Sequence, residues 1–285
     1  MAKTIGNPLS WTARHLASTG HHIAATTAEM GGETNVRAPG VRALTDADLR
    51  AALRAGWQDV LASRTDAMVA ILVYPAIGIA LFAVGLHLAL LHLLFPLAAG
   101  FALLGPVAAV GLYEISRRRE AGQPADWRQA LAVVQSPSFG AVVVLGLYLA
   151  GLFLAWMLTA RLIHAMTLGD TIPASMVDFA RQVFATADGW TMIVVGIAVG
   201  FVFALVALAI SVVSFPLLID RHVGVPMAVV TSVRVLRHSP RVVLTWGAIV
   251  AAALVVGSVP FFLGLVIVLP WLGHATWHLY RRAVV

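Results

Sequence analysis

Along the chain, apolar residues come first at helical spacing and then in long unbroken runs. Thr45-Asp46-Ala47-Asp48 has the form of a helix start, with carboxylates where the positive end of a helix favours them. Leu49, Leu53, Trp57, Val60 and Leu61 then recur at helical spacing, with Arg50, Arg54, Gln58 and Asp59 on the other side. That pattern predicts an amphipathic helix lying in the headgroup region of a membrane and feeding a first span. From Ala67 to Tyr113 no residue is charged over 47 positions. As one helix this run would be about 70 Å long against a hydrocarbon core of about 30 Å, so it must fold back on itself. The reversal is expected within Gly85 to Pro96, giving spans near 67–86 and 92–113. Further spans read at 139–159 and 190–215. The uncharged run Val242 to Tyr280, 39 residues, is again too long for one crossing and predicts a turn at Ser258 to Pro260.

The expectation is thus an all-α polytopic membrane bundle of six transmembrane helices. Residues 45–285 form the membrane domain, and 1–44 form a disordered cytoplasmic tail rich in Ser, Thr, His and Gly. Met1 to Arg42 lacks the continuous apolar core of a secretory leader. Between spans three and four, Met176, Phe179, Val183 and Phe184 recur at helical spacing after Asp170-Thr171-Ile172-Pro173 and predict a short amphipathic helix. It would cap the bundle, rest on lipid or dock a partner.

Composition agrees with lipid as the solvent. Hydrophobic residues make up 60% of the 285, charged residues only 11%, and the mean hydropathy is +0.90. The net charge of +6 would suit a nucleic-acid binder, but the basic residues gather at helix ends rather than in one stripe. Seventeen of the nineteen fall on one side of the expected topology, and only Arg161 and Arg181 on the other. Short loops rich in positive charge stay cytoplasmic, so both termini are expected in the cytoplasm of a bacterial cell, with the chain in its inner membrane. The chain has no cysteine, which removes disulfides, thiolate zinc, iron–sulfur clusters and covalent c-type haem.

One unit recurs three times: an amphipathic helix, a small polar break, then a helical hairpin ending in arginine. The breaks are Ser63-Arg64, Ser136-Pro137 and Ser239-Pro240, and the copies run over about 45–118, 119–222 and 223–285. The hairpins close on Tyr113-Glu114-Ile115-Ser116-Arg117-Arg118, Leu218-Ile219-Asp220-Arg221 and Leu279-Tyr280-Arg281-Arg282. Copies that start and end on the same side are parallel repeats about an axis along the membrane normal.

Gly56 to Leu61, Gly111-Leu112-Tyr113-Glu114-Ile115-Ser116-Arg117-Arg118, Phe215 to Arg221 and Thr231-Ser232-Val233-Arg234 carry a resemblance. Over roughly residues 40–285 the chain resembles a bacterial family of predicted integral membrane proteins of unknown function, some of them loosely linked to cytochrome oxidase. Arg64 stands where that family's pattern has proline. The resemblance implies the amphipathic-helix-plus-hairpin organisation and transfers no catalytic residue.

Candidate chemistry is sparse, because no ionisable side chain falls at the centre of an expected span. Tyr113, Glu114, Asp220 and Arg221 close the hairpins at the cytoplasmic ends. There they either form structural ion pairs or line a polar cytoplasmic mouth. His274 and His278 at i, i+4 share a helix face, a geometry that can ligate haem or metal, but with Trp271, Trp277 and Tyr280 they also suit an interfacial aromatic belt. His87, His92 and His164 would meet at the outer side, and His15, His21 and His22 lie in the tail. Gly196-x-x-x-Gly200 and Gly146 with Gly151 suit close helix packing. No phosphate loop, nucleophile elbow, zinc-protease helix or dinucleotide fingerprint is present. No cofactor, metal or nucleic-acid partner is expected. Three readings follow, in order: a non-catalytic scaffold or assembly protein for another membrane or respiratory complex, a transporter or channel for a small or lipid-like substrate, and a lipid-modifying enzyme.

Overall fold

The structure is a computed structural model that describes residues 38–62, 73–126, 130–131, 133–169, 173–260 and 262–285. Residues 1–37 with His15, His21 and His22, the Ser63-Arg64 break, the start of the first expected span, Arg128, and Asp170 to Ile172 lie outside the described residues.

The described chain is helical, with one isolated antiparallel bridge joining Val41 to Val284. The helices are α1 (Asp46–Ala62), α2 (Val73–Gly85), α3 (Leu94–Leu103), α4 (Gly105–Ala108), α5 (Val110–Glu120), α6 (Phe139–Thr167), α7 (Met176–Ala185), α8 (Ala187–Ser211), α9 (Ser214–Asp220), α10 (Gly224–His238), α11 (Pro240–Ser258) and α12 (Leu265–Ala283). Thr45 caps α1, its hydroxyl accepting from Asp48 N at 3.2 Å while Asp48 Oδ2 accepts from Thr45 N at 2.9 Å. Each satisfies a backbone donor that the first helical turn would otherwise strand.

Among the described residues, three helical segments are long and apolar enough to cross a membrane: Phe139–Thr167, Ala187–Asp220 and Pro240–Ser258. The 67–113 run turns at Leu86 and His87 and passes through a 3₁₀ segment over Leu88–Leu93. Its apolar helices Ala76–Gly85 and Leu90–Gly100 are shorter than those three. Between α11 and α12, Phe262 adopts a left-handed φ of 64° with its ring edge-on to Phe82 at 5.7 Å. α7 forms where the outer-loop periodicity predicts it, capped by Ser175 Oγ accepting from Asp178 N at 3.1 Å.

The core lies at the arginine-rich end of the molecule. Tyr113, Phe215, Leu217, Trp277, Leu279 and Tyr280 are fully buried there. The membrane-length helices instead expose Leu147, Leu154, Leu158, Val194, Phe201, Val255 and Val256. Such a belt on a water-soluble molecule would drive aggregation, whereas facing lipid it costs nothing.

α1 departs from the sequence reading. The face it buries is Leu49, Ala52, Gly56, Asp59 and Val60, while Trp57 is 42% exposed and Leu61 69%. The helix docks on α12 through its small residues rather than through Trp57 and Leu61, because small side chains permit a closer approach there than large ones. A Cβ at Gly56 would sit 2.5 Å from Ala275 N and 2.7 Å from its Cα. Trp271 Nε1 donates to Leu53 O at 3.0 Å beside this contact. Gly56→Ala should therefore lower the thermal midpoint of the detergent-solubilised protein, with a loss of about 1–3 kcal/mol from forced separation of α1 and α12. An unchanged midpoint would mean the two helices are not in contact at Gly56.

Candidate functional site

The arginine-rich end gathers polar side chains from four helices: Asp59 from α1, residues 113–120 from α5, Asp220 from α9 with Arg221 just after it, and residues 274–281 from α12. Helical spacing places each group. Glu114 precedes Arg117 and Arg118 by three and four residues, so all three share one flank of α5, with the acid towards the N-terminus where the pairing is favourable. His274 and His278, four apart, both point from α12 towards α1.

Asp59 is the hub of the first group. Its Oδ2 accepts from Ser116 Oγ at 2.6 Å and lies 2.9 Å from His278 Nε2. His274 Nδ1 lies 2.7 Å from Ser116 Oγ, and Arg119 Nη1 donates to Asp59 O at 3.0 Å. An ionised carboxylate only accepts, which fixes the protons. Ser116 gives its hydrogen to Asp59, His274 Nδ1–H donates to Ser116, and His278 Nε2–H donates to Asp59. The order His–Ser–Asp is the reverse of a nucleophilic triad, in which serine gives its proton to histidine. Ser116 and His274 are each 1% exposed, so this serine is shut away from any substrate as well as wrongly bonded to attack one. Burial alone would raise the Asp59 carboxyl, but hydrogen bonds from His278 and Ser116 with the neighbouring imidazoles hold it below the usual carboxylate range.

The second group centres on Glu114. Arg117 Nε donates to Oε2 at 2.7 Å and Nη2 to Oε1 at 2.8 Å, while Arg118 Nε donates to Oε1 at 2.6 Å. Here too burial would raise the carboxyl and the two guanidiniums lower it below its ordinary value. Asp220 belongs to a third set. Tyr280 donates its hydroxyl to Asp220 Oδ2 at 2.6 Å, and Arg281 spans from Asp220 at 3.4 Å to Glu120 at 3.0 Å. Glu120 also accepts from Trp277 Nε1 at 3.0 Å.

Of the residues singled out in the sequence, Glu114 and Asp220 stand at the same end but bond to different partners. Arg117 lies within the electrostatic reach of both. Tyr113 is buried in the core beneath them, and Arg221 stands at the margin with Nε 3.8 Å from Asp220. His274 and His278 share one face and both turn to Asp59. On the outer side His92 and His164 stack with ring centres 4.3 Å apart, and His87 is exposed. Among the described residues no group of three or more His, Asp or Glu side chains has a metal-binding arrangement. Sequence reasoning passed over Asp59, Ser116, Arg119 and Glu120. The signal for Asp59 was Ala52-x-x-x-Gly56-x-x-Asp59, a small-residue face that brings a neighbour close and carries the carboxylate with it.

Comparison with known proteins bears on the central part of the chain. Residues 94–220, somewhat under half of it, match the model of a family described as "Predicted integral membrane protein (DUF2189)". This is the kind of family the sequence resembles, and with the three membrane-length apolar segments it identifies an integral membrane protein with several apolar helices. The match includes Glu114, Ser116 and Asp220 but neither Asp59 nor the α12 histidines. No curated protein and no solved structure matches.

Asp59→Ala should cost about 2–3 kcal/mol in unfolding experiments, because it leaves His278 and Ser116 without their charged acceptor. The pH dependence has a definite sign. Carboxyls lowered in the folded state stabilise fully above their unfolded values of about 4, and that stability is lost as pH falls through the folded values. The thermal midpoint should fall below about pH 4, less steeply in Asp59→Asn and Glu114→Gln. A wild-type midpoint that does not fall below pH 4 would contradict this assignment.

Proposed function

We propose that the chain is a non-catalytic scaffold or accessory protein of the bacterial inner membrane that packs against another membrane protein through α8. The observation that carries this reading is the unequal cover of the membrane-length segments. Only 6% of the most apolar window of Ala187–Asp220 is buried, against 28% for Phe139–Thr167 and 22% for Pro240–Ser258. On α8, Gly200 packs on Trp156 of α6, but Gly196 stands open beside exposed Ile197 and Phe201, the kind of surface that lets a second helix approach closely. The polar end supports the same reading, since Asp59, Ser116 and His274 are buried and bonded to one another and the buried Glu114 is bonded to Arg117 and Arg118. Six spans in three parallel hairpins with both termini cytoplasmic belong to this proposal. Support for them comes from the basic asymmetry of the sequence and from the gathering of the arginine-bearing ends of α5, α9 and α12.

One observation favours a second reading, a carrier of a lipid-like substrate. A groove of about 240 Å³ between α3, α6 and α8 is lined by Phe95, Leu103, Trp156, Ile197, Phe201 and further apolar residues. Trp156 is fixed in its wall by donating Nε1–H to Pro96 O at 2.9 Å.

Gly196 separates the readings from a folding defect, because a Cβ there would meet nothing within 4 Å in this chain. Purified from its native membrane in mild detergent, the wild-type protein should bring a stoichiometric membrane partner identifiable by mass spectrometry. Gly196→Leu should lose that partner at an unchanged thermal midpoint. A wild-type protein that purifies alone, or a variant that keeps its partner, would sink the α8 reading; bound lipid lost in Gly196→Leu would favour the carrier.

A further inference from the structure

Two sets of arginines stand out among the described residues. Arg117, Arg118, Arg119, Arg221 and Arg281 are paired with the carboxylates of the buried cluster. Arg50 and Arg54 on α1 are exposed and make no ion pair with any described carboxylate; the nearby Asp48 is taken by Arg42 at 2.9 Å. Spacing of four, three and four aligns Arg50, Arg54, Trp57 and Leu61 along one outward stripe, opposite the face that Gly56 and Asp59 press against α12. Trp57 is held in that position edge-on to Trp271 at 6.3 Å. The stripe therefore runs from two unpaired cations through an indole to an exposed leucine. Arg237 and Arg241, also exposed, flank Ser239, whose hydroxyl accepts from Leu44 N at 2.7 Å just before α1 begins.

The geometry points to an anionic phospholipid surface as the occupant of this stripe. Such a stripe suits the boundary of a leaflet, where guanidiniums meet phosphates and an indole and a leucine meet the headgroup–acyl region. Charge complementarity selects the lipid, because guanidiniums without an ion-pair partner among the described residues gain from each anionic headgroup and little from a zwitterionic one. The inference is independent of the α8 reading, since it concerns a different helix and needs no protein partner.

The test uses the whole protein in nanodiscs and reads fluorescence quenching by brominated lipids, with Trp57→Phe defining the Trp57 component. Brominated phosphatidylglycerol should quench Trp57 with an apparent association roughly tenfold stronger than brominated phosphatidylcholine at low salt. Raising the ionic strength should erode the preference. Arg50→Gln with Arg54→Gln should abolish it and Arg50→Lys with Arg54→Lys should keep most of it, each folded variant being verified by its thermal midpoint. Equal quenching by both lipids, an unchanged preference in the glutamine variant, or no quenching of Trp57 by either lipid would overturn the proposal. Loss of the preference on adding inorganic phosphate at constant ionic strength would assign the stripe to free phosphate instead.

Discussion

A carboxylate removed from water must find donors or it destabilises everything around it, and Asp59 finds them on two other helices. Its acceptors bind Ser116 of α5 and His278 of α12, while Arg119 of α5 holds its carbonyl. Leaving such a charge unpaired in a dry site costs several kcal/mol, so α1, α5 and α12 can assemble fully only together. Gly56 makes this possible by allowing α1 close enough to α12 for side chains as short as aspartate and serine to meet. The rest of the arginine-rich end repeats the logic, with Glu114 and Asp220 each satisfied by donors supplied alongside them.

The molecule thus contains two kinds of order. At the polar end, uniqueness comes from directional bonds and dense packing around Phe215, Leu217, Trp277 and Tyr280. Along the membrane-length helices most of the outer surface is apolar, and little of it is buried within the chain. This division explains why the protein has so few charges yet spends many of them in one place: a bonded carboxylate fixes a helix in rotation and height, which an apolar contact against lipid cannot do.

Much of the architecture was legible because membrane thickness and helix rise are fixed lengths. The uncharged runs had to be broken, and the structure turns between Gly85 and Leu94 and between Ser258 and Leu265. The capped start at Thr45 and the outer helix after Ser175 were legible from side chains that bond their own backbone. The docking face of α1 was not. Periodicity assigns large apolar residues inward and charged ones outward, and here Gly56 and Ala52 point inward while Trp57 points out. The polar cluster was half legible. Glu114 and its arginines are neighbours in sequence, whereas Ser116, which looks like an ordinary helix residue, matters only because of what it meets from 57 residues earlier and 158 later.

The bond between Asp59 and His278 spans 219 positions. At about 5–20 residues per second, the ribosome needs on the order of ten seconds or more to deliver the histidine after the aspartate. Throughout that interval the Asp59 carboxylate is without His278, while the helices between the two partners are made. The bond that fixes α1 against α12 can therefore form only after every helix between them has been made, which places completion of this end of the fold late in its synthesis.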